Sequence, residues 1–197
     1  MSIIELLQGF HDAKMLFPYA PVRTTRPARR RLFLTAQAED QRLNPNSATN
    51  LLCGRGFIEA ALMRWVMGER VYGDKKQGRS LRDLDPPPQE VWEVRVTEPA
   101  TQGRLFGRFA EPDTLILTGF HTRRLLGNKG SREWSDAMQD CARQWEAFTP
   151  ALPVFAGSTI HEYVTENCDD FPIKAWITRQ SELGKARPRG VRRRSAS

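Results

Sequence analysis

Arg95, Arg104, Arg108 and His121 are the residues whose types and spacing could do chemistry. Arginine carries a planar fork of donors that grips two phosphate oxygens at once and stays charged at any working pH. Histidine titrates near neutrality, with an unperturbed pKa of about 6.5, so it can take or give a proton. Three arginines and one histidine on a common surface could hold a phosphodiester, stabilise charge developing on phosphorus, and serve a neighbouring hydroxyl as base or acid. Attack of a ribose 2′-hydroxyl on the adjacent phosphate needs that set and no metal or cofactor. Arg123, Arg124 and Lys129 follow closely and extend the positive stretch. From Arg104 to Arg132, the cations Arg104, Arg108, Arg123, Arg124, Lys129 and Arg132 stand against only Glu111 and Asp113.

The elements that must position these residues can be read from periodicity. Trp92, Val94 and Val96 alternate with Val91, Glu93, Arg95 and Thr97, a period of two that predicts a half-buried strand. Residues 98–103, Glu-Pro-Ala-Thr-Gln-Gly, form a turn, since Pro fixes φ and Gly permits φ > 0. Arg104, Phe106 and Arg108 alternate with Leu105, Gly107 and Phe109. A second turn at Glu111-Pro112-Asp113 leads to the apolar run Leu115-Ile116-Leu117, which runs out into Phe120-His121-Thr122-Arg123-Arg124. The expectation is an antiparallel meander with Arg95, Arg104 and Arg108 on a solvated polar face, opposite Trp92, Val94, Leu105 and Phe109.

WEVRV, GRLFGRF and LILTGFHTRR, flanked by helices over residues 55–148, resemble the core of the RelE/HigB superfamily of toxin ribonucleases, in particular its phage-derived HigB-like branch. Glu93-Val94-Arg95 stands at the family's "ELR" strand, Gly103-Arg104-Leu105-Phe106 at its second strand, and Leu115 through Arg124 at its third. The chain departs at Phe106 and Gly107, where the family often has tyrosine. Its paired lysines are matched by Arg123 and Arg124 after a shift of one residue. The resemblance implies an α+β fold, a small antiparallel β-sheet packed with helices. It also implies a toxin-type endoribonuclease acting on RNA, with ribosome-associated mRNA as one form of the substrate. Arg95, Arg104 and His121 would be catalytic, and Arg108, Arg123, Arg124 and Lys129 would bind RNA. A cognate antitoxin protein would cover the arginine face. The other reading is a non-catalytic RNA-binding or protein-interaction module on the same scaffold.

The rest of the chain divides around this core. Residues 1–54 read as an extension, 151–184 as a helical addition and 185–197 as a disordered basic tail. Ile3, Ile4, Leu6, Leu7 and Phe10 suit a short helix. The arginines from Arg23 to Arg31 read as a solvated arm, with a helix from Arg30 to about Glu39 after it. Residues 57–66 carry a broad apolar stripe at helical spacing. Residues 73–89 form a polar, proline-rich connector that could reach RNA. Trp134, Ala137, Met138, Cys141, Trp145 and Phe148 recur every three or four residues behind a candidate N-cap at Ser131. A last helix is expected over residues 173–183.

The formal net charge is +7, but the tail holds six cations without an acid and the arginine block five. Taking both away leaves the remainder at −4, so any nucleic-acid surface on the folded body has to be a local patch. Three widely spaced cysteines without a CxxC pair favour reduced thiols over a disulfide frame or a zinc site. No apolar run approaches a membrane span and the N-terminus lacks a basic leader, so the location expected is cytoplasmic with no membrane partner.

Overall fold

The computed structural model describes residues 1–21, 26–73, 80–84, 88, 90–96 and 103–173. The basic tail, most of the expected last helix, the first expected turn and most of the 73–89 connector lie outside the described residues.

The chain folds as α+β, with a six-stranded sheet in the order β1-β2-β6-β5-β4-β3. Its strands are β1 (Leu16–Pro18), β2 (Arg31–Thr35), β3 (Leu81–Asp83), β4 (Trp92–Val96), β5 (Gly103–Glu111) and β6 (Thr114–Thr122). Among the described residues, seven helices accompany them: α1 (Ile3–Asp12), α2 (Ala36–Leu43), α3 (Ala48–Cys53), α4 (Arg55–Val66), α5 (Arg123–Leu126), α6 (Arg132–Glu146) and α7 (Ile160–Tyr163). The β4-β5-β6 meander is antiparallel, as expected, and β3 and β1 extend the sheet antiparallel at its two edges. One pairing is parallel, that of β2 with β6.

Residues 1–54 supply β1 and β2 to this sheet, and β2 stands where the sequence suggested the start of a helix. Leu32 and Leu34 are buried and pair with Leu115 and Leu117 of β6. The helix begins only at Ala36, where Thr35 caps it by accepting a hydrogen bond from the Ala38 amide. The arginine block is likewise not a free arm at its end. Arg30 is 3% exposed and its guanidinium lies over the Trp65 ring.

Successive strand residues point to opposite faces, and both faces are covered. Trp92, Val94, Leu105, Phe109, Leu115 and Leu117 pack on one side with Ile58, Leu62 and Trp65 of α4. Phe106 and Ile116, of the other parity, meet α6 instead. Phe106 joins Trp134, Met138 and Cys141, while Ile116 joins Trp145, Phe148 and Leu7 of α1. The face expected to be solvated therefore lies largely beneath α6. Each large apolar side chain that α6 buries there stabilises the fold by about 1.5–3 kcal/mol.

A bulge sets the register at the middle of this face. Phe106 pairs with Gly119 but Gly107 pairs with Leu117, so Thr118 is the extra residue. A β-carbon on Gly107 would stand 2.3 Å from the Ile116 carbonyl oxygen, so no larger residue fits that approach.

Candidate functional site

The row Arg95–Arg104–His121 is formed by register alone. Arg95 of β4 pairs with Arg104 of β5, and Arg104 pairs with His121 of β6. It is the last row on the α6 face before β4 and β6 end and β5 begins. The next row inward is Arg82–Glu93–Phe106–Gly119. Directly opposed residues share a face, so Arg82, Glu93, Arg95 and Arg104 gather at one end of the sheet.

Side chains hold the free edge of β6 at this end. β2 pairs with β6 only as far as Leu117. Beyond it, Thr35 donates to the Thr118 carbonyl, Gln41 accepts from the Phe120 amide at 2.7 Å, and Thr49 donates to the Phe120 carbonyl at 2.9 Å. These bonds from α2 and α3 replace a missing strand and fix the backbone on either side of His121.

Glu93 is the electrostatic centre of the cluster, and its carboxylate is 0% exposed. Its Oε1 accepts from Arg95 Nε at 2.6 Å and lies 2.7 Å from Arg104 Nε. Arg104 also donates through Nη1 to the Gly103 carbonyl at 2.9 Å. Burial pushes the Arg104 pKa below its ordinary value, Glu93 opposes this, and the positive charges of Arg95, Arg123 and Arg82 add to the lowering. Three further guanidiniums thus act on Arg104, which shares the Glu93 carboxylate with one of them, Arg95. Among the described residues the cluster carries a surplus of positive charge, in a setting where charge interactions are stronger than in water.

Arg123 sits at the start of α5, capped by Thr122, whose Oγ1 accepts from the Leu125 amide. Its Cζ lies over the Trp134 ring, 5.4 Å from the centroid, and its Nη1 donates to the Gly127 carbonyl. Trp134 is buried against Phe106 and capped into α6 by Ser131. Arg124 follows on α5 and is exposed, and Lys129 is exposed on the turn between α5 and α6.

His121 is largely covered. Its ring centroid is 5.1 Å from that of Phe106. A β-carbon on Gly119 would press on His121 Nε2 at 3.1 Å, so the glycine makes room for the imidazole. Burial lowers its pKa from the ordinary histidine value, and the Asp140 charge offsets part of that. The imidazole is therefore neutral at pH 7, which suits a base and not an acid.

The site residues expected from sequence divide accordingly. Arg95, Arg104 and His121 come together, and Arg123 joins them through its charge on Arg104. Arg108 does not. It shares their face but lies four residues along β5, about 13 Å away at 3.3 Å per residue, on the far side of Phe106. It is buried, and the acids acting on it are Glu90 and Glu146, with the neutral Cys141 thiol nearby. Arg108 is a core residue. The expectation that Arg104 is a solvated side chain also fails, since it is 6% exposed and ion-paired to Glu93. Arg82 and Glu93 are the cluster members that sequence reasoning left out of the site. The parity of Glu93 with Arg95 was visible, whereas the strand carrying Arg82 was not.

A pocket of about 290 Å³ opens elsewhere, lined by Arg29, Arg30, Gly68, Asp113, Thr165 and Glu166. Its two cations face two carboxylates, with Arg29 paired to Glu166 and Arg30 to Asp113. It has no preference for an anion.

No family model, no curated protein and no solved structure matches this chain. No helix among the described residues is long and apolar enough to cross a membrane.

Proposed function

We propose that this protein binds RNA through the arginine end of its sheet, with phosphate held by Arg95 and Arg104. The observation that carries the reading is that Arg95 and Arg104 share the Glu93 carboxylate while the charges of Arg82 and Arg123 also act on Arg104, a surplus of positive charge among the described residues. Glu93 fixes the orientation of two guanidiniums without neutralising the group, which is how a preorganised phosphate site is built. The resemblance of WEVRV, GRLFGRF and LILTGFHTRR to RelE/HigB-like toxins supports RNA as the nucleic acid.

A second reading, endoribonucleolytic cleavage in a toxin–antitoxin pair, is favoured by the pairing of His121 with Arg104. A neutral imidazole beside a phosphate-binding arginine could take the 2′ proton. The leaving 5′ oxygen would then have to be protonated by water or by a group of the RNA or ribosome. In this reading the antitoxin covers Arg123, Arg124 and Lys129.

The test combines binding and cleavage. Fluorescence anisotropy with a labelled single-stranded RNA is expected to show Arg95→Ala binding roughly 10- to 100-fold more weakly, as for loss of a charged contact. Melting is followed in parallel. Unchanged affinity in folded Arg95→Ala rejects the binding reading. End-labelled RNA, free and ribosome-bound, is then incubated with the wild type and with His121→Ala. A 2′,3′-cyclic phosphate product that vanishes in His121→Ala establishes cleavage, and intact RNA in every lane leaves binding alone.

A further inference from the structure

We infer that Arg123 is a stacking platform for an unpaired base, so that the arginine end takes single-stranded RNA with its phosphate at Arg95 and Arg104 and a base on Arg123. This rests on the RNA-binding reading and adds the form of RNA that the site accepts.

Three constraints fix the Arg123 side chain. The Arg123 Cζ sits over the indole of Trp134, 5.4 Å from the ring centroid. The Gly127 carbonyl accepts from Nη1. The Thr122 cap fixes the first turn of α5, from which the side chain departs. Trp134 is itself immobile, being buried between Phe106 and the α6 stripe. Arg123 is only partly buried, and it forms no ion pair among the described residues, unlike Arg95 and Arg104. A planar cation that sits over an aromatic ring and makes no ion pair among the described residues is a surface on which a nucleobase stacks.

Placement relative to the phosphate site matches a nucleotide. Arg123 follows His121 by two residues, and its charge is felt at Arg104. Adjacent phosphate and base can reach both groups only if the base is splayed from its neighbours, because a paired base presents no free face. The arrangement thus selects single strands over duplexes. A purely structural role would be to tie α5 to α6, and stacking predicts what such a tie does not.

The experiment uses the full chain and three labelled ligands of equal length: a single-stranded RNA, the same RNA annealed to its complement, and an abasic strand with the same backbone. The wild type is expected to bind the single strand at least fivefold more tightly than the abasic strand, as for a single base–side-chain stack. Arg123→Lys keeps the charge and loses the plane. It should weaken binding of the single strand about fivefold or more and leave the abasic strand unchanged. A 2-aminopurine placed in the single strand should be quenched by the wild type and much less by Arg123→Lys.

Equal wild-type affinity for single-stranded and abasic ligands overturns the inference, whether or not the variant folds. So does an equal loss on both ligands in Arg123→Lys, which would make Arg123 a phosphate clamp. Loss of wild-type binding to all three ligands would overturn the RNA-binding reading itself and this inference with it. Tight binding to the abasic strand would overturn only the stacking.

Discussion

Arg30 and Arg104 are both nearly enclosed, at 3% and 6% exposed, and burial pushes the pKa of each down. Their surroundings differ in sign. Arg30 donates to the Glu69 carbonyl at 3.0 Å, lies 3.5 Å from Asp113 and stacks on Trp65. Both carboxylates acting on it, Asp113 and Glu166, favour its charged form. Arg104 shares one carboxylate with Arg95 and feels three cations, Arg95 among them. Arg30 is balanced by its own fold and ties the end of the arginine block to the loop after α4. Arg104 belongs to a group that the described residues leave with surplus charge. Burial alone does not separate a structural arginine from a binding one; the balance of neighbouring charge does.

The largest expected effect falls on the balanced side. Arg30→Ala removes the ion pair to Asp113 and the donor to the Glu69 and Glu166 carbonyls, and should cost about 3–5 kcal/mol of stability, the usual loss on breaking a buried pair. In a chain of this size that lowers Tm by roughly 10 °C. RNA affinity per folded molecule should not change. A melt within about 1 °C of wild type would mean that Arg30 is not a structural pin.

Glu93→Gln comes next and sets two effects against each other. It adds one net positive charge, which would tighten RNA binding if charge alone mattered. It also removes the common anchor of Arg95 and Arg104. Stability should fall by about 2–4 kcal/mol, because the buried Arg104 and the half-buried Arg95 lose the Glu93 counter-ion. RNA affinity should fall rather than rise, since unanchored guanidiniums are no longer preorganised. Tighter binding in a folded Glu93→Gln protein would show that Glu93 merely competes with phosphate.

Arg124→Ala should be smaller. Arg124 is exposed, so stability should change by no more than about 0.5 kcal/mol, while a rim contact to phosphate would weaken RNA binding by about two- to fivefold. Anisotropy and melting on the same preparation check both figures.

The smallest effect concerns pH. The His121 pKa is depressed in the folded state, so the unfolded chain binds more protons below about pH 6.5. The stability from keeping His121 neutral is complete above that pH and is lost as pH falls through the folded pKa. Denaturant unfolding of wild type and His121→Gln between pH 7.5 and about pH 5 should show the wild type losing stability faster. Parallel curves would place His121 in a more open setting than its contact with Phe106 suggests.

Sequence alone carried the centre of the molecule further than its margins. The meander of β4, β5 and β6 and the stripe of α6 were legible because periods of two and of three to four are written in Trp92–Val96 and Trp134–Trp145. Strands β1 and β2 were not. Leu16–Pro18 contains a proline, which an edge strand tolerates, and Arg31–Thr35 follows an arginine run and pairs in parallel with residues far along the chain. That missed strand is also why Arg30 read as part of a solvated arm. Parity placed Arg95, Arg104 and Arg108 on one face correctly. It could not show that α6 covers that face, nor that Phe106 divides Arg108 from the others. The burial of Glu93 depends on its cross-strand neighbours, Arg82 and Phe106, and so became visible only with the register.

The central claim is that the position of the arginines, and not the overall charge of the chain, binds RNA. It is tested most directly by two double variants that remove equal charge. One is Arg95→Ala/Arg123→Ala, in the cluster. The other is Arg29→Ala/Arg143→Ala, at side chains that are 61% and 69% exposed elsewhere. Binding of a single-stranded RNA is measured over a range of salt concentrations. The cluster variant should lose affinity at every salt, with the slope of log K against log salt reduced by about 0.7, the figure for the one phosphate contact, at Arg95, that it removes from a single strand. The control variant should keep the wild-type slope to within about 0.3. Equal losses in the two folded variants would contradict the claim and reduce the arginine end to one part of a diffuse positive charge.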